Sequence, residues 1–390
     1  MKYQDCLLRQ LVDLIPRDEF QAHVEQYQGD KGTYRLKCWD QFLALIYGQI
    51  RQMDSLRAIE TGLNQHQNHW YHLNIHGIKR STLAEANQQR DSRIYEDVFQ
   101  SLLKRCQQYW RGTKKNLDVS MKIIDATLIE LCYGLFPWAK YRTRKGAIKL
   151  HMQIDYGSDL PEIIIATDGN VHEINIARQM PIQPDSIYVI DRGYLDYQWL
   201  HDIHTAGAYF VIRAKSDMNY KILEQQDSTH EDVLADYEIQ TPWLHKIQES
   251  KKPKYPDILR MVIYQDPETG KVYRFLTNIE AFAPETIALI YKQRWKIETF
   301  FKWIKQNLKI KSFIGTSRNA VMTQIWVAMI TYLIGWYIKH QTQYKGSLLQ
   351  LFRVINESLF FRVHLLDILN STPKKPTKDL PFRQLTLDYG

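Results

Sequence analysis

The chain has 390 residues, 44% hydrophobic and 24% charged, proportions that exclude extended disorder; 17 glycines and 13 prolines are too few for a fibrous protein. Lys and Arg outnumber Asp and Glu by 51 to 43, a net charge of +8 that leans towards a polyanionic partner. Cys6, Cys38, Cys106 and Cys132 form no C-x-x-C pair and the N-terminus has no apolar leader, which argues against structural zinc, a disulfide framework and secretion, and for a reducing cytoplasm.

Residues 1–117 read as a helical domain. Trp39–Ile50 is an apolar helix, and Asp54 or Ser55 can cap the next, which ends near Gly62. Thr82 and Glu85 have capping-box spacing, so a helix is expected to start there, with Lys79 and Arg80 just ahead of it. Ile94–Trp110 is amphipathic. Short helices with basic residues at a turn suit a helix-turn-helix-like DNA reader; a plain helical bundle fits the pattern equally well.

Residues 118–214 change to strands alternating with helices, the rhythm of an α/β domain. Strands are expected at Lys122–Leu131, Ala147–Tyr156, Glu162–Thr167, Ser186–Asp191 and Ala208–Arg213, with helices near 172–179 and 195–206. Between the first two strands, Ala139–Leu150 carries five basic residues and no acid; as a loop, its Arg142, Arg144 and Lys145 suit a DNA backbone. Residues 215–283 read as a β-rich insertion and 284–340 as the resumed α/β domain, opening on a long helix. Val321–Ile338 has the minimum length of a membrane span, but its Thr323, Gln324 and Thr331 favour a buried core helix. Residues 341–390 read as a helical segment and a Pro-containing tail.

The segment Ala283–Lys311 is the most informative. On one continuous helix, Tyr291, Arg294, Glu298, Lys302, Lys305 and Lys309 share an arc of about 80°, opposite an apolar face. Residues 286–315 hold seven Lys or Arg and one Glu. Like charges at i,i+4 repel, so a one-signed face makes sense against a phosphate backbone. Glu298 is then either a metal ligand kept ionised by its neighbours or the acid of a surface ion pair with Lys302. Asp125 lies among β-branched residues and Asp191 ends an apolar strand, both costly unless paired or bound to metal. Asp155, Asp159 and Asp168 are explained by turns and Asp196 by a helix start; His172 at a helix start needs no function.

Three motifs in order resemble those of one large family of bacterial insertion-sequence DDE transposases, family four in the usual scheme. Tyr291, Arg294, Glu298 and Lys305 match Y-x2-R-x3-E-x6-K; Asp125-Ala126-Thr127 and Asp191-Arg192-Gly193-Tyr194 resemble the two aspartate motifs, at spacings of 66 and 107 residues. The resemblance implies an α/β fold: a ribonuclease-H-like catalytic core with a β-rich insertion, preceded by an α-helical DNA-end-binding domain. It implies catalytic Asp125, Asp191 and Glu298 holding two Mg²⁺ ions, with Mn²⁺ able to substitute, and phosphate contacts from Tyr291, Arg294 and Lys305. Cut-and-paste transposition through a hairpin is expected, on double-stranded DNA (terminal inverted repeats and target), by a homodimer in the bacterial cytoplasm at the nucleoid. Trp243 or Trp295 is a candidate to stack on a flipped base. A nuclease without strand transfer and a non-catalytic DNA binder remain the alternatives.

Overall fold

The computed structural model describes residues 5–113, 120–142, 145–215, 217–228, 230–241, 255 and 258–371. The Pro-containing tail beyond 371 and Trp243 lie outside them. The chain divides into two units, Met1–Val98 with Trp326–Gly390, and Phe99–Ile325.

The first unit is helical. Its N-terminal part holds α1 (Leu7–Val12), α2 (Arg17–Gln26), α3 (Cys38–Ile50), α4 (Leu56–Asn64), α5 (Trp70–Leu73), α6 (Arg80–Gln89) and the start of α7 (Arg93–Thr113). Every residue of α3 is buried, and Phe20, Trp39 and Phe42 pack ring to ring around it. Ser55 caps α4 by accepting the Ala58 amide. No cap forms at Thr82: α6 already starts at Arg80, and Glu85 accepts a hydrogen bond from Gln89 within the helix. Burial of Ile78 and Leu83 sets the start of this helix in place of the local capping signal. The C-terminal segment, set apart by sequence, is hydrogen-bonded to the first helix: the Leu7 and Leu8 amides donate to the Phe361 and Leu359 carbonyls at 3.0 and 2.8 Å.

The second unit is built on one ten-stranded sheet: β1 (Ser120–Leu131), β2 (Lys140–Arg142), β3 (Lys145–Asp155), β4 (Leu160–Asp168), β5 (Ser186–Ile190), β6 (Tyr209–Arg213), β7 (Lys221–Gln226), β8 (Val233–Gln240), β9 (Leu259–Gln265) and β10 (Val272–Thr277). The order is β2-β3-β1-β5-β6-β10-β9-β8-β7, with β4 also on β3. β1 is antiparallel to β3 and parallel to β5, and β5 is parallel to β6. The fully buried run SIYVI of β5 is what a central parallel strand requires. Helices α8 (Glu173–Ala177) and α9 (Tyr197–Thr205) cover one face, where Trp199 and Ile203 pack with Ile124, Tyr188 and Phe210. By the two-residue alternation of strands, Asp125 and Phe275 point to the other face, which receives α10 (Pro284–Lys292) and α11 (Trp295–Asn307).

Two sequence expectations change here. Within the basic stretch 139–150, Lys140–Arg142 is a strand paired antiparallel with the start of β3, where a loop was expected. The β-rich segment continues the main sheet, because β10 pairs with β6. Sequence reasoning missed this: antiparallel partners about 60 residues apart leave no local signature.

Arg260 of β9 joins this sheet extension to α10. Its guanidinium, buried with Asp236, donates to both carboxylate oxygens at 2.9 and 2.6 Å and to the carbonyls of Ile279, Glu280 and Phe282, which lead into α10. Arg260→Ala is expected to cost about 3–5 kcal/mol, because Asp236 is left buried and unpaired. A urea melt within 1 kcal/mol of wild type would contradict this.

After α11 come α12 (Arg318–Gln341), α13 (Leu348–Ser358) and α14 (Leu365–Ser371). The apolar stretch of α12 is long enough to cross a membrane, but 89% of it is buried inside the protein, as expected of a core helix.

Candidate active site

β1 and β5 run parallel with Ile124 opposite Ile190. Asp125 and Asp191 are the next residues, Asp125 within β1 and Asp191 just beyond the end of β5. Glu298 arrives from α11. The long helix expected over 283–311 is two helices: i→i−3 bonds from the Gln293, Arg294, Lys296 and Ile297 amides tighten the turn at Gln293 and Arg294. Three residues per turn in place of 3.6 rotates α11 away from its place on a continuous wheel. The helix also ends at Leu308, which is extended, so Lys309 leaves the shared arc.

Arg294 lies at this break and faces inward. It donates to Asp125 Oδ2 at 3.1 Å and to Glu298 Oε1 at 2.5 Å. One guanidinium thus spans the two carboxylates, which puts these oxygens within about 8 Å of each other. Tyr291, buried, donates its hydroxyl to Asp191 Oδ1 at 3.2 Å. Glu298 therefore pairs back to Arg294, not forward to Lys302. Two of the three residues expected on phosphate, Tyr291 and Arg294, bond carboxylates here.

Electrostatics reflect this crowding. Burial first, then the Asp191 and Glu298 charges, push the Asp125 carboxyl up to about 6, against the pull of the Ala126 amide and Arg294. Burial raises the Tyr291 hydroxyl. Burial opposes the Arg294 charge, yet Tyr291, Asp125 and Glu298 more than offset it and hold the guanidinium protonated. The folded chain thus keeps a proton on Asp125 more tightly than the unfolded chain does, so ionising it between about pH 4 and 6 costs stability. The shift from 3.8 to about 6 corresponds to about 3 kcal/mol. In chelator, Asp125→Asn is expected to be more stable than wild type at pH 7–8 by up to that amount, the gap closing towards pH 4. A gap that does not change with pH would refute it.

The other predicted residues divide. Lys302 is exposed and Lys305 half-buried; burial, then Lys311, lowers the Lys305 ammonium. Trp295 is 64% exposed, so packing does not account for its indole. Lys79 and Arg80 are exposed in the helical unit. Arg142 and Lys145 belong to β2 and β3 by backbone; their side chains and the whole of Arg144 lie outside the described residues. Asp155 bonds Ser158 and Lys122, Asp159 occupies a left-handed turn position at φ 58°, and Asp196 caps α9, so local structure explains all three. His172 is exposed.

Sequence reasoning missed two residues. Lys296 ties the first turn of α11 to the β3–β4 turn, donating to the Tyr156 carbonyl and to Asp159, each at 2.8 Å. Tyr194 has a buried hydroxyl with no partner among the described residues, and burial, then Asp125, raises it. Its place in the Asp191-Arg192-Gly193-Tyr194 motif was the available signal.

Three carboxylates gathered near one cation have the donor chemistry of a hard divalent ion, which takes carboxylate oxygens. They fit such an ion by donor type. Among the described residues no three acids, histidines or cysteines are already arranged to hold one; the cation between Asp125 and Glu298 is Arg294.

Residues 120–334 match the family model described as the transposase DDE domain, and residues 4–78 match a domain of unknown function, DUF4372. A protein of Sinorhizobium fredii named as transposase y4zB is 31% identical over 77% of this chain and 82% of its own length. A Geobacillus stearothermophilus protein, named as the transposase for insertion sequence element IS5377, is 27% identical over 69% and 70%. A solved piggyBac transposase synaptic complex with hairpin DNA aligns over 97% of this chain and 84% of that one, at 11% identity and TM-score 0.49.

Proposed function

The chain belongs to the DDE transposase family, and we propose that it moves an insertion sequence by cutting at both terminal inverted repeats and joining the freed ends to target DNA. The observation that carries this reading is the meeting of Asp125, Glu298 and Arg294, beside Asp191 and Tyr291. The core is read as ribonuclease-H-like, supported by the order β4-β3-β1-β5-β6, antiparallel for the first three strands and parallel for the last three.

Asp125, Asp191 and Glu298 would hold two Mg²⁺ ions, with Mn²⁺ as a substitute. When bound, such a pair stabilises both the attacking and the leaving oxygen of an in-line phosphodiester displacement. The chain's own residues do the rest. Tyr291 orients the Asp191 carboxylate. Arg294 neutralises Asp125 and Glu298 while no DNA is present, then turns to phosphate together with Lys302, Lys305 and Lys309. Water cleaves one strand, its oxygen remaining on the 5′-phosphate, and leaves a 3′-OH. That hydroxyl attacks the opposite strand and closes a hairpin, which a second water reopens before the 3′-OH joins target DNA. Trp295, exposed beside this face, stacks on the base extruded at the hairpin. A homodimer would hold the two ends together, on DNA in the cytoplasm.

The test is purified protein with its own terminal-repeat duplex, Mg²⁺ and a plasmid. Ends joined to the plasmid support the proposal. Cutting without joining would reduce the protein to a nuclease, and a shifted but uncut band to a DNA binder.

A further inference from the structure

The first turn of α11 is tied to the sheet on both of its flanks. Residues two apart on a helix project about 200° apart, so Lys296 and Glu298 leave α11 on opposite sides of Ile297, which is buried. On the Glu298 side, contact with the sheet runs through Arg294 to Asp125. On the other side, the Lys296 ammonium donates to the Tyr156 carbonyl and to Asp159 Oδ1, each at 2.8 Å, and lies 3.9 Å from the centre of the Tyr156 ring.

Lys296 holds a turn that is itself fixed. The Tyr156 amide donates to the Met121 carbonyl at 2.9 Å. Asp155 Oδ2 accepts the Ser158 amide and hydroxyl at 2.9 and 2.7 Å. Asp155 Oδ1 accepts the Lys122 ammonium at 3.2 Å, and Lys122, 4% exposed, also donates to Glu162 at 2.6 Å. Met121 and Lys122 belong to β1, the strand that carries Asp125. The helix is therefore joined to β1 twice, by Arg294 at Asp125 and by Lys296 through the β3–β4 turn.

A divalent ion would act differently on the two ties. Arg294 sits on carboxylate oxygens that the ion needs, so that tie opens when the ion binds. Lys296 bonds none of Asp125, Asp191 and Glu298, and its tie can stay. The Lys296 and Asp159 side chains are 37% and 61% exposed, and an ion pair so open to water adds little stability. What the contacts fix is the rotation of the helix. We infer that Lys296 is a positioning residue, which keeps Glu298 turned towards Asp125 and Asp191 after Arg294 has let go. The inference rests on the proposed function for the divalent ions and adds the residue that holds their third ligand in place. Removing a residue that orients a metal ligand typically weakens ion binding 10- to 100-fold.

Titrating Mn²⁺ alone into the full chain while following its Tm tests this without DNA or turnover. Lys296→Met keeps an unbranched stem and removes the ammonium. Its Mn²⁺ midpoint is expected to rise roughly tenfold, and cutting of the terminal-repeat duplex to fall at low Mn²⁺ and recover at high Mn²⁺. Lys296→Arg keeps a cation with N–H donors and should bring the midpoint most of the way back. Asp159→Gly suits the left-handed turn position at φ 58° and removes one acceptor. It should move the midpoint the same way by less, and add nothing to Lys296→Met in the double variant. A lysine that only stabilised the fold would lower the Tm equally at every Mn²⁺ concentration, which would overturn the inference. So would a Lys296→Met midpoint within about twofold of wild type, with the transposase reading left intact as long as wild type responds to Mn²⁺ and cuts its ends. Wild type that neither gains Tm from Mn²⁺ nor cuts would remove both. If Lys296→Met does not fold, Asp159→Gly, on an exposed turn, decides: an unmoved midpoint overturns the inference.

Discussion

Asp191→Ala is expected to lower strand cleavage at the terminal repeats by at least about 10³-fold, a loss typical of removing a group that stabilises transition-state charge, while end binding stays within twofold. Asp125→Ala and Glu298→Ala should behave alike. The reason is geometric. Asp125 within β1 and Asp191 just past the end of β5 each lie one residue beyond the paired Ile124 and Ile190, and Glu298 is joined to Asp125 through Arg294. With any one absent, fewer hard oxygens remain for the divalent ions proposed to bind there. Denaturing-gel assays of nicked and joined products, with band shifts in parallel, read both quantities. Any of the three variants that still cut within tenfold of wild type would remove that residue from the site.

Arg294→Ala should lower stability strongly, and in a form that depends on divalent ions. Arg294 is 13% exposed and its partner Asp125 19%. Removing one member of a buried pair leaves the other uncompensated, a loss of about 3–5 kcal/mol. Asp125 is also next to two further carboxylates, so the variant gathers negative charge with nothing to balance it. In chelator its Tm is expected to fall by about 10 °C. Millimolar Mg²⁺ or Mn²⁺ should then restore more of the Tm in the variant than it adds to wild type, because the ion no longer competes with a resident guanidinium. A variant as stable as wild type in chelator, or one indifferent to both ions, would show that Arg294 does not balance the acids.

Much of this was legible in residue patterns. β1, β3, β4, β5 and β6 fall where alternation and β-branched runs put them, because a strand facing a core on one or both sides writes its burial directly into sequence. Asp125 and Asp191 stood out since an acid among isoleucines is costly. What was illegible depends on distant residues. The direction of Arg294 could not be read from a helical wheel, since a wheel gives an angle and not the carboxylate it meets. The break at Gln293 and Arg294 carries no proline or glycine to announce it. Asp40 looks like any first-turn helix acid, and only the return of the chain at His76 gives its second oxygen a partner.

The amide bonds from Leu7 and Leu8 to the carbonyls of Phe361 and Leu359 have a consequence for synthesis. A ribosome delivers the chain from its N-terminus, so the opening helices emerge long before the residues that complete their hydrogen bonding. The central sheet, whose strands all lie between Ser120 and Thr277, can assemble during elongation, as domains generally do. The helical unit stays unfinished until Leu359 and Phe361 have been made and have emerged. A ribosome stalled after residue 330 would therefore carry a formed catalytic sheet behind an incomplete helical unit.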